Sequence, residues 1–317
     1  MSFSKPFPLL RLPRLPLLEV FDCMGVQEQF YLSICSSKAK YSIKFYTSIR
    51  KFSVTFYFTN NFTFFLKAEN SDDKFQIHVQ TDTVIFGSIW RFLSSVDVSG
   101  TPLEKNVKRL LLFLLDVFNT PTICLGFEVT RHDFVTGFIN YIHSLKLKIN
   151  SLNIKGIKEE DVEHILDNYR DVSSKIYLDC PTIPGIKYLN KSSKPSLNKV
   201  TIVHAEWVTT YHLTILFINC KRLVLDNLST DYIKVDLFLK EWRKGSSPLK
   251  YACLALTFVD PHLINVLEGI RSKRVSTRGT RWARYARRAI RIKQRKTGAR
   301  AYVIQYDRTI LITDSLQ

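Results

Sequence analysis

The sequence predicts an α/β protein: a small N-terminal helical unit, then an open α/β domain of recurring strand–helix units, closed by a C-terminal β-hairpin. Three observations carry this reading. Apolar residues at helical spacing fill much of the first 50 positions, a short pattern (apolar-x-apolar-x-x-apolar) recurs between residues 152 and 259, and two alternating segments flank a turn at Gly298. The chain has 317 residues, 45% of them hydrophobic, a globular composition with length for two domains.

The helical unit begins at Leu12 and Pro13 and continues through Leu17, Val20, Phe21 and Met24, with Pro16 tolerated in the first turn and Gly25 as the stop. Phe30, Leu32 and Ile34 mark a second apolar segment. Ser36, Ser37 and Lys38 open a third, whose Lys38, Lys40 and Lys44 are expected to be exposed. A unit of some 45 residues makes a weak core alone, so these helices either complete their burial on a partner or pack on the rest of the chain.

Phe52, Val54, Phe56 and Phe58 alternate with Ser53, Thr55 and Tyr57, and Asn60-Asn61 separates them from a second apolar run at 62–66, which predicts a hairpin. Residues 75–86 continue in the same style. Pro102 and Glu104 introduce a helix over 105–119, whose leucine-rich run at 110–115 calls for nearly complete burial.

The recurring pattern starts at residues 152, 176, 200, 223 and 254, with a poorer copy at Ile123 and Leu125. Four units add a helical apolar face: Val162/Ile165/Leu166/Tyr169, Leu213/Leu216/Phe217/Cys220, Val235/Phe238/Leu239/Trp242 and Leu263/Val266/Leu267/Ile270. The unit starting at 176 has instead a loop at 190–198 rich in Ser, Lys and Pro. Strand plus helix at a period of about 20–29 residues is a leucine-rich-repeat-like signature; the alternative is an ordinary α/β domain with βα units of similar length. If the units stack, Leu152, Ile154 and their equivalents point inward. Asn153, Lys155, Tyr177, Asp179, Thr201, Val203, Val224, Asp226, Ala255 and Thr257 then face the open side, where a substrate would be met.

The formal charge is +18, which suggests an anionic partner until it is divided along the chain. Residues 1–150 hold 17 basic and 12 acidic side chains, residues 151–270 hold 15 and 14, and residues 271–317 hold 14 and 2. Two thirds of the excess therefore sits in the last 47 residues. The six cysteines form no C-x-x-C pair, the seven histidines are scattered, and the phosphate-loop, dinucleotide, zinc-protease and nucleophile-elbow motifs are missing. His132-Asp133 reads as a surface pair, Glu159, Glu160 and Asp161 as a helix start, and Cys180 and Cys220 as core fillers. The expectation is a protein that is not an enzyme, with no catalytic residues, cofactor or metal. No apolar run approaches the ~20 residues of a membrane span, and the Pro-interrupted N-terminus does not suit a signal peptide, so an intracellular location, cytoplasmic or nuclear, is expected.

The stretch containing Phe7, Leu9, Leu12, Pro13, Leu17, Glu19, Val20, Met24, Glu28, Leu32, Ser33 and Lys38 resembles the F-box. More narrowly, it is similar to the F-box of the nematode family that pairs this motif with a type 2 F-box-associated domain. Asp236, Phe238, Leu239 and Trp242, then Leu249 and Tyr251, then Ile290, Ile292, Lys296, Gly298 and Ala301 resemble that associated domain, over about 180–305. The resemblance implies an F-box at 5–50 and a substrate-binding α/β domain at 51–317. It implies a substrate-recruiting adaptor of a cullin–RING (SCF-type) ubiquitin ligase in the ubiquitin conjugation pathway. The F-box would bind a Skp-type subunit through Leu12, Pro13, Leu17, Val20, Phe21, Met24 and Leu32, and the second domain would bind a protein substrate.

The rival reading is a nucleic-acid-binding protein using the basic segment 271–300, where Trp282, Tyr285, Ala286 and Ala289 share one helical face and Arg281, Arg284, Arg288 and Arg291 the other. The same segment also reads as a solvated cap anchored by its apolar face. Its later part, around Ile290, Ile292, Ala301, Val303 and Ile304, reads as a hairpin, with a third strand after Arg308.

Overall fold

A computed structural model describes residues 8–59, 62–69, 72–79, 102–119, 121–128, 132–156, 175–179, 197–230, 233–257, 270, 272–284, 286 and 288–316. The helical faces expected at 162–169 and from Leu263, the greater part of the loop at 190–198, residues 159–161, Cys180, Tyr285 and the side chains of His132 and Asp133 lie outside what is described. The chain divides into two compact units, 1–149 and 150–317.

The first unit opens with three short helices, α1 (Arg14–Cys23), α2 (Val26–Cys35) and α3 (Ser37–Thr47). Their breaks are where the residues require them. Gly25 is extended before α2, and the Ser36 hydroxyl accepts the Ala39 amide at 3.1 Å to cap α3. The sheet of this unit has the order β4-β1-β2-β3. Strands β1 (Phe52–Phe58), β2 (Phe62–Ala68) and β3 (Lys74–Val79) form the expected antiparallel meander, and β4 (Thr122–Glu128) runs parallel to β1. Gly126 is required there: a Cβ at this position would lie 2.1 Å from the Tyr57 ring, which crosses it so that the phenol can donate to Glu128 Oε2 at 2.9 Å. Helices α4 (Pro102–Val117) and α5 (His132–Ser144) complete the unit. Val107, Leu110, Leu111, Phe113, Leu114 and Val117 of α4 are buried, whereas Leu112 and Leu115 are half-buried, so one stripe faces the core.

Of the α3 lysines expected to be exposed, Lys38 and Lys44 are exposed and Lys40 is half-buried, and two of the three are paired. Lys40 and Lys44 both reach Asp116 of α4 at 2.5 Å, and their ammonium hydrogen bonds hold the Asp116 carboxyl below the usual carboxylate range. A lowered folded-state pKa adds stability that is present above the unfolded value, near 3.9, and is lost as pH falls through the folded value. Asp116→Asn is therefore expected to lower the melting temperature at neutral pH and low salt, with the gap to wild type narrowing below about pH 4. A gap that stays constant from pH 7 to pH 3 would show that the charge of Asp116 does not hold α3 to α4.

The second unit is built on β5 (Ile149–Lys155), β6 (Lys175–Asp179), β7 (Lys199–Val203), β8 (Arg222–Leu228) and β9 (Tyr251–Leu256), all parallel and in this order. Leu152, Ile176, Val200 and Leu223 stand in one register row and are buried. The row continues into Ala252, not Leu254, so the fifth unit starts two residues earlier than the pattern predicts, 29 residues after Leu223. The small Ala252 hides this phase from a reading keyed to large apolar residues. Between β7 and β8 the chain makes a π-turn (His212–Leu216) and a 3-10 turn (Phe217–Asn219) where an α-helix was expected, yet Leu213, Leu216, Phe217 and Cys220 are all buried. Helix α6 (Val235–Lys244) forms as expected and buries Val235, Phe238, Leu239 and Trp242.

Four antiparallel strands follow, β10 (Lys273–Ser276), β11 (Arg288–Lys293), β12 (Arg300–Tyr306) and β13 (Thr309–Thr313), with β13 paired to β9. The hairpin at Gly298 and the third strand agree with the sequence reading, and β10 is an addition to it. The segment before the hairpin is a single 3-10 turn (Arg281–Arg284), so the helical face expected over 282–289 does not form as one face: Ala289 already belongs to β11.

Candidate functional site

Helices α1 to α3 are held from within by a small polar and aromatic frame. Gln29 is buried, and its amide donates at the end of α1 to the Phe21 carbonyl at 3.2 Å, which also accepts the Met24 amide, and to the Met24 carbonyl at 2.9 Å. Asp73, in the turn before β3, accepts the Val26 amide at 2.7 Å and so places a carboxylate at the start of α2. The Tyr46 phenol donates to Asp22 at 2.7 Å and its ring meets Phe21 edge-on at 5.4 Å, while Arg50 pairs with Asp22 and lies over the Tyr46 ring. Burial and the Asp22 carboxylate push the Tyr46 phenol above its ordinary range, so it remains a donor. Phe30 of α2 contacts Phe64 of β2 at 5.8 Å, Phe75 of β3 at 5.1 Å and Phe113 of α4 at 5.9 Å. These rings fix the helices to the sheet of the same unit.

This packing sorts the seven residues expected at the ligase-docking surface. Phe21 is fully buried and faces the Tyr46 ring, so it supports the surface from beneath and offers nothing to a partner. The reason is its place at the centre of the inward stripe of α1. Leu12, Leu17, Val20, Met24 and Leu32 are half-buried and Pro13 is exposed. The large apolar side chains left in solvent are others: Leu15 is 73% exposed, Tyr41 73% and Ile49 86%, with Phe45 beneath the Arg14 guanidinium at 4.2 Å. Tyr41, Phe45 and Ile49 follow one another at four-residue spacing from α3 into the turn after it. Ile49 and Met24 also border a cavity of about 580 Å³ that Gln29 and Phe52 help to line. The four-residue spacing was the available signal, masked by the lysines interleaved with it.

The exposed apolar side chains of this surface are bordered by charge, with Arg14 over Phe45 and Asp22, Arg50, Lys51, Glu69 and Asp73 lining the cavity. No group of three His, Cys, Asp or Glu side chains suited to a metal ion occurs among the described residues. No helix among them is long and apolar enough to cross a membrane.

The helices coincide with a match to the F-box domain family, which covers residues 9–49, and residues 188–254 match the family described as F-box associated. The chain carries an F-box and an F-box-associated domain. This F-box protein is similar to the Skn-1 dependent zygotic transcript 15 protein of Caenorhabditis elegans, at 25% identity over 169 residues, which are 51% of this chain and 48% of the nematode one. It is also similar to Glutaminase 1 of Halalkalibacterium halodurans, at 32% identity over 92 residues, which are 29% of this chain and 28% of the bacterial one. The matches thus span about half, or less, of the curated relatives' own lengths. No solved structure matches the chain significantly. The pairing of the two domains and the C. elegans relative agree with the nematode family that the sequence resembles.

The second candidate surface of the F-box protein is the open side of β5 to β9. Asn153, Lys155, Tyr177, Asp179, Thr201, Val203, Val224, Ala255 and Thr257 are half-buried there and Asp226 is exposed, opposite the buried row. At the end of β7 and within β8, His204 and Asn227 take left-handed backbone angles and approach each other at 3.4 Å, with Glu206 at 3.9 Å from the imidazole. The basic segment is placed differently. Trp282 and Ala286 pack on Ala289, Ile304 and Leu311, which anchors it, while Lys273, Arg274, Arg278, Arg281, Arg284, Lys293, Arg295, Lys296 and Arg300 are exposed.

Proposed function

We propose that this F-box protein is a substrate-recruiting adaptor of a cullin–RING (SCF-type) ubiquitin ligase. Its F-box, 5–50, docks a Skp-type subunit, and the remainder, 51–317, binds a protein substrate. The observation that carries the reading is the apolar surface left on α1 and α3 after the unit has buried Phe21, Phe30 and Ile43 within itself. Exposed apolar patches of this kind mark protein interaction sites, and aromatic anchors beside a pocket are where binding energy concentrates. Leu12, Pro13, Leu17, Val20, Met24 and Leu32 border the surface, with Leu15, Tyr41, Phe45 and Ile49 at its centre. Phe21 holds the shape of α1 without meeting the partner. No step of this function needs a catalytic residue, cofactor or metal from the chain, and it operates inside the cell, in cytoplasm or nucleus.

The substrate side rests on the parallel strands, which we read as leucine-rich-repeat-like units stacked with one row buried and the opposite row facing out. The nucleic-acid reading of 271–300 keeps its exposed arginines, but the packing of Trp282 and Ala286 favours an anchored cap.

Two double variants test the docking. Leu15→Glu with Phe45→Glu changes only outward side chains, and Leu17→Arg with Val20→Arg changes the half-buried rim. Each is expected to reduce co-purification of the Skp-type subunit by about tenfold or more, since hot-spot losses of about 2 kcal/mol are typical. Undiminished capture by a Leu15→Glu, Phe45→Glu protein with a wild-type melting curve would sink the assignment.

A further inference from the structure

The strand register of the second unit brings together three basic side chains that the repeat pattern does not single out. Lys175 opens β6 and pairs with Lys199, which opens β7 and in turn pairs with Arg222 at the start of β8. Residues paired across neighbouring strands share a face, so the three cations stand side by side on the open face, each two positions ahead of Tyr177, Thr201 or Val224. At about 4.8 Å between strands they fall within about 10 Å, a spacing at which like charges repel. Among the described residues no carboxylate pairs with any of them, and Lys175 and Arg222 are exposed. The carboxylates of this face, Asp179 and Asp226, lie four residues further along β6 and β8, about 13 Å away, with Lys155 of β5 in register beside Asp179.

We propose that Lys175, Lys199 and Arg222 form a basic ridge that receives an extended acidic segment of the protein substrate, its carboxylates laid across the strands. This deepens, and rests on, the reading that the open face captures substrate. Alternate side chains of an extended chain lie about 7 Å apart, so two or three carboxylates come within reach of the long basic stems. The observations favour protein over single-stranded nucleic acid as occupant. The next residue in the row, Tyr251, is covered by the Arg222 guanidinium at 4.5 Å, and Tyr302 is packed on the Ala289, Ile304 and Leu311 cluster, so neither offers a free platform for base stacking.

The test uses the full chain and fluorescence anisotropy of three labelled probes: a peptide alternating glutamate and serine, one alternating lysine and serine, and oligothymidylate. The glutamate peptide is expected to bind, to weaken as salt rises, and to lose about tenfold or more in affinity when Lys175→Glu, Lys199→Glu and Arg222→Glu are combined. That variant keeps its capture of the Skp-type subunit, because it leaves the F-box untouched. Should it melt early, Lys175→Gln with Arg222→Gln carries the same comparison. Wild-type affinity of the reversed protein for the glutamate peptide overturns the ridge, as does ridge-dependent binding of oligothymidylate in place of that peptide. Loss of subunit capture in the wild type, with ridge-dependent peptide binding retained, removes the ligase reading and leaves the ridge standing.

Discussion

Phe30→Ala lowers the melting temperature of the first unit by about 10 °C or more. Phe30 is fully buried, and its ring is the common neighbour of Phe64, Phe75 and Phe113, so truncation removes contacts with two strands and a helix at once. Phe→Ala in such a core costs about 3–5 kcal/mol, and about 1 kcal/mol moves the transition of a domain this size by roughly 2–4 °C. Phe30→Leu keeps most of the volume and is expected to lose less than half as much. Differential scanning calorimetry of the three proteins reads this directly. A Phe30→Ala protein melting within about 2 °C of wild type would show that the aromatic cluster does not bind the F-box helices to the sheet.

The second large effect is a pH dependence centred on His212. The imidazole is buried in the π-turn, edge-on to Trp207 at 5.4 Å, and its Nδ1 accepts the Thr209 amide at 2.9 Å, so the folded protein holds the neutral ring. Burial lowers its pKa to about 4 from the ordinary 6.5. Above pH 6.5 the folded and unfolded states are both neutral at this position. Below it the unfolded chain takes up a proton that the folded chain refuses, and stability falls until the folded ring also titrates, near pH 4. The full loss for a shift of this size is about 3 kcal/mol. His212→Gln keeps an acceptor for Thr209 and removes the titration, so it should flatten the stability profile between pH 6.5 and 4. An imidazole resonance of His212 titrating near pH 6.5 in the folded protein would contradict the argument.

Much of the architecture is legible in the sequence. The α1 stop at Gly25, the cap at Ser36, the hairpin around Asn60-Asn61, the α4 stripe and the Gly298 hairpin all follow from local rules, because turn chemistry and side-chain periodicity act over a few residues. The buried rows at Leu152, Ile176, Val200 and Leu223 were legible for the same reason. Their fifth member was not, since Ala252 is too small to register as apolar punctuation and only pairing with Leu223 identifies it.

The candidate sites were legible in part. Helical periodicity selects residues on the inward stripe of α1, and so it chose Phe21, which the unit needs for itself; the outward Leu15 belongs to no stripe, and the four-residue series of Tyr41, Phe45 and Ile49 is interleaved with lysines. Lys40 and Lys44 read only as exposed charge, and α3 and α4 bring them to Asp116, 72 residues beyond Lys44. Lys175, Lys199 and Arg222 are unremarkable lysines and an arginine in sequence and become a ridge only through strand register. The sequence by itself determined the helices α1 to α4 and α6, the strands β1, β2 and β5 to β9 and the Gly298 hairpin, since these depend on neighbours along the chain. The tertiary structure decided which apolar side chains remain in water and which charges stand together, because both depend on neighbours brought from elsewhere in the chain.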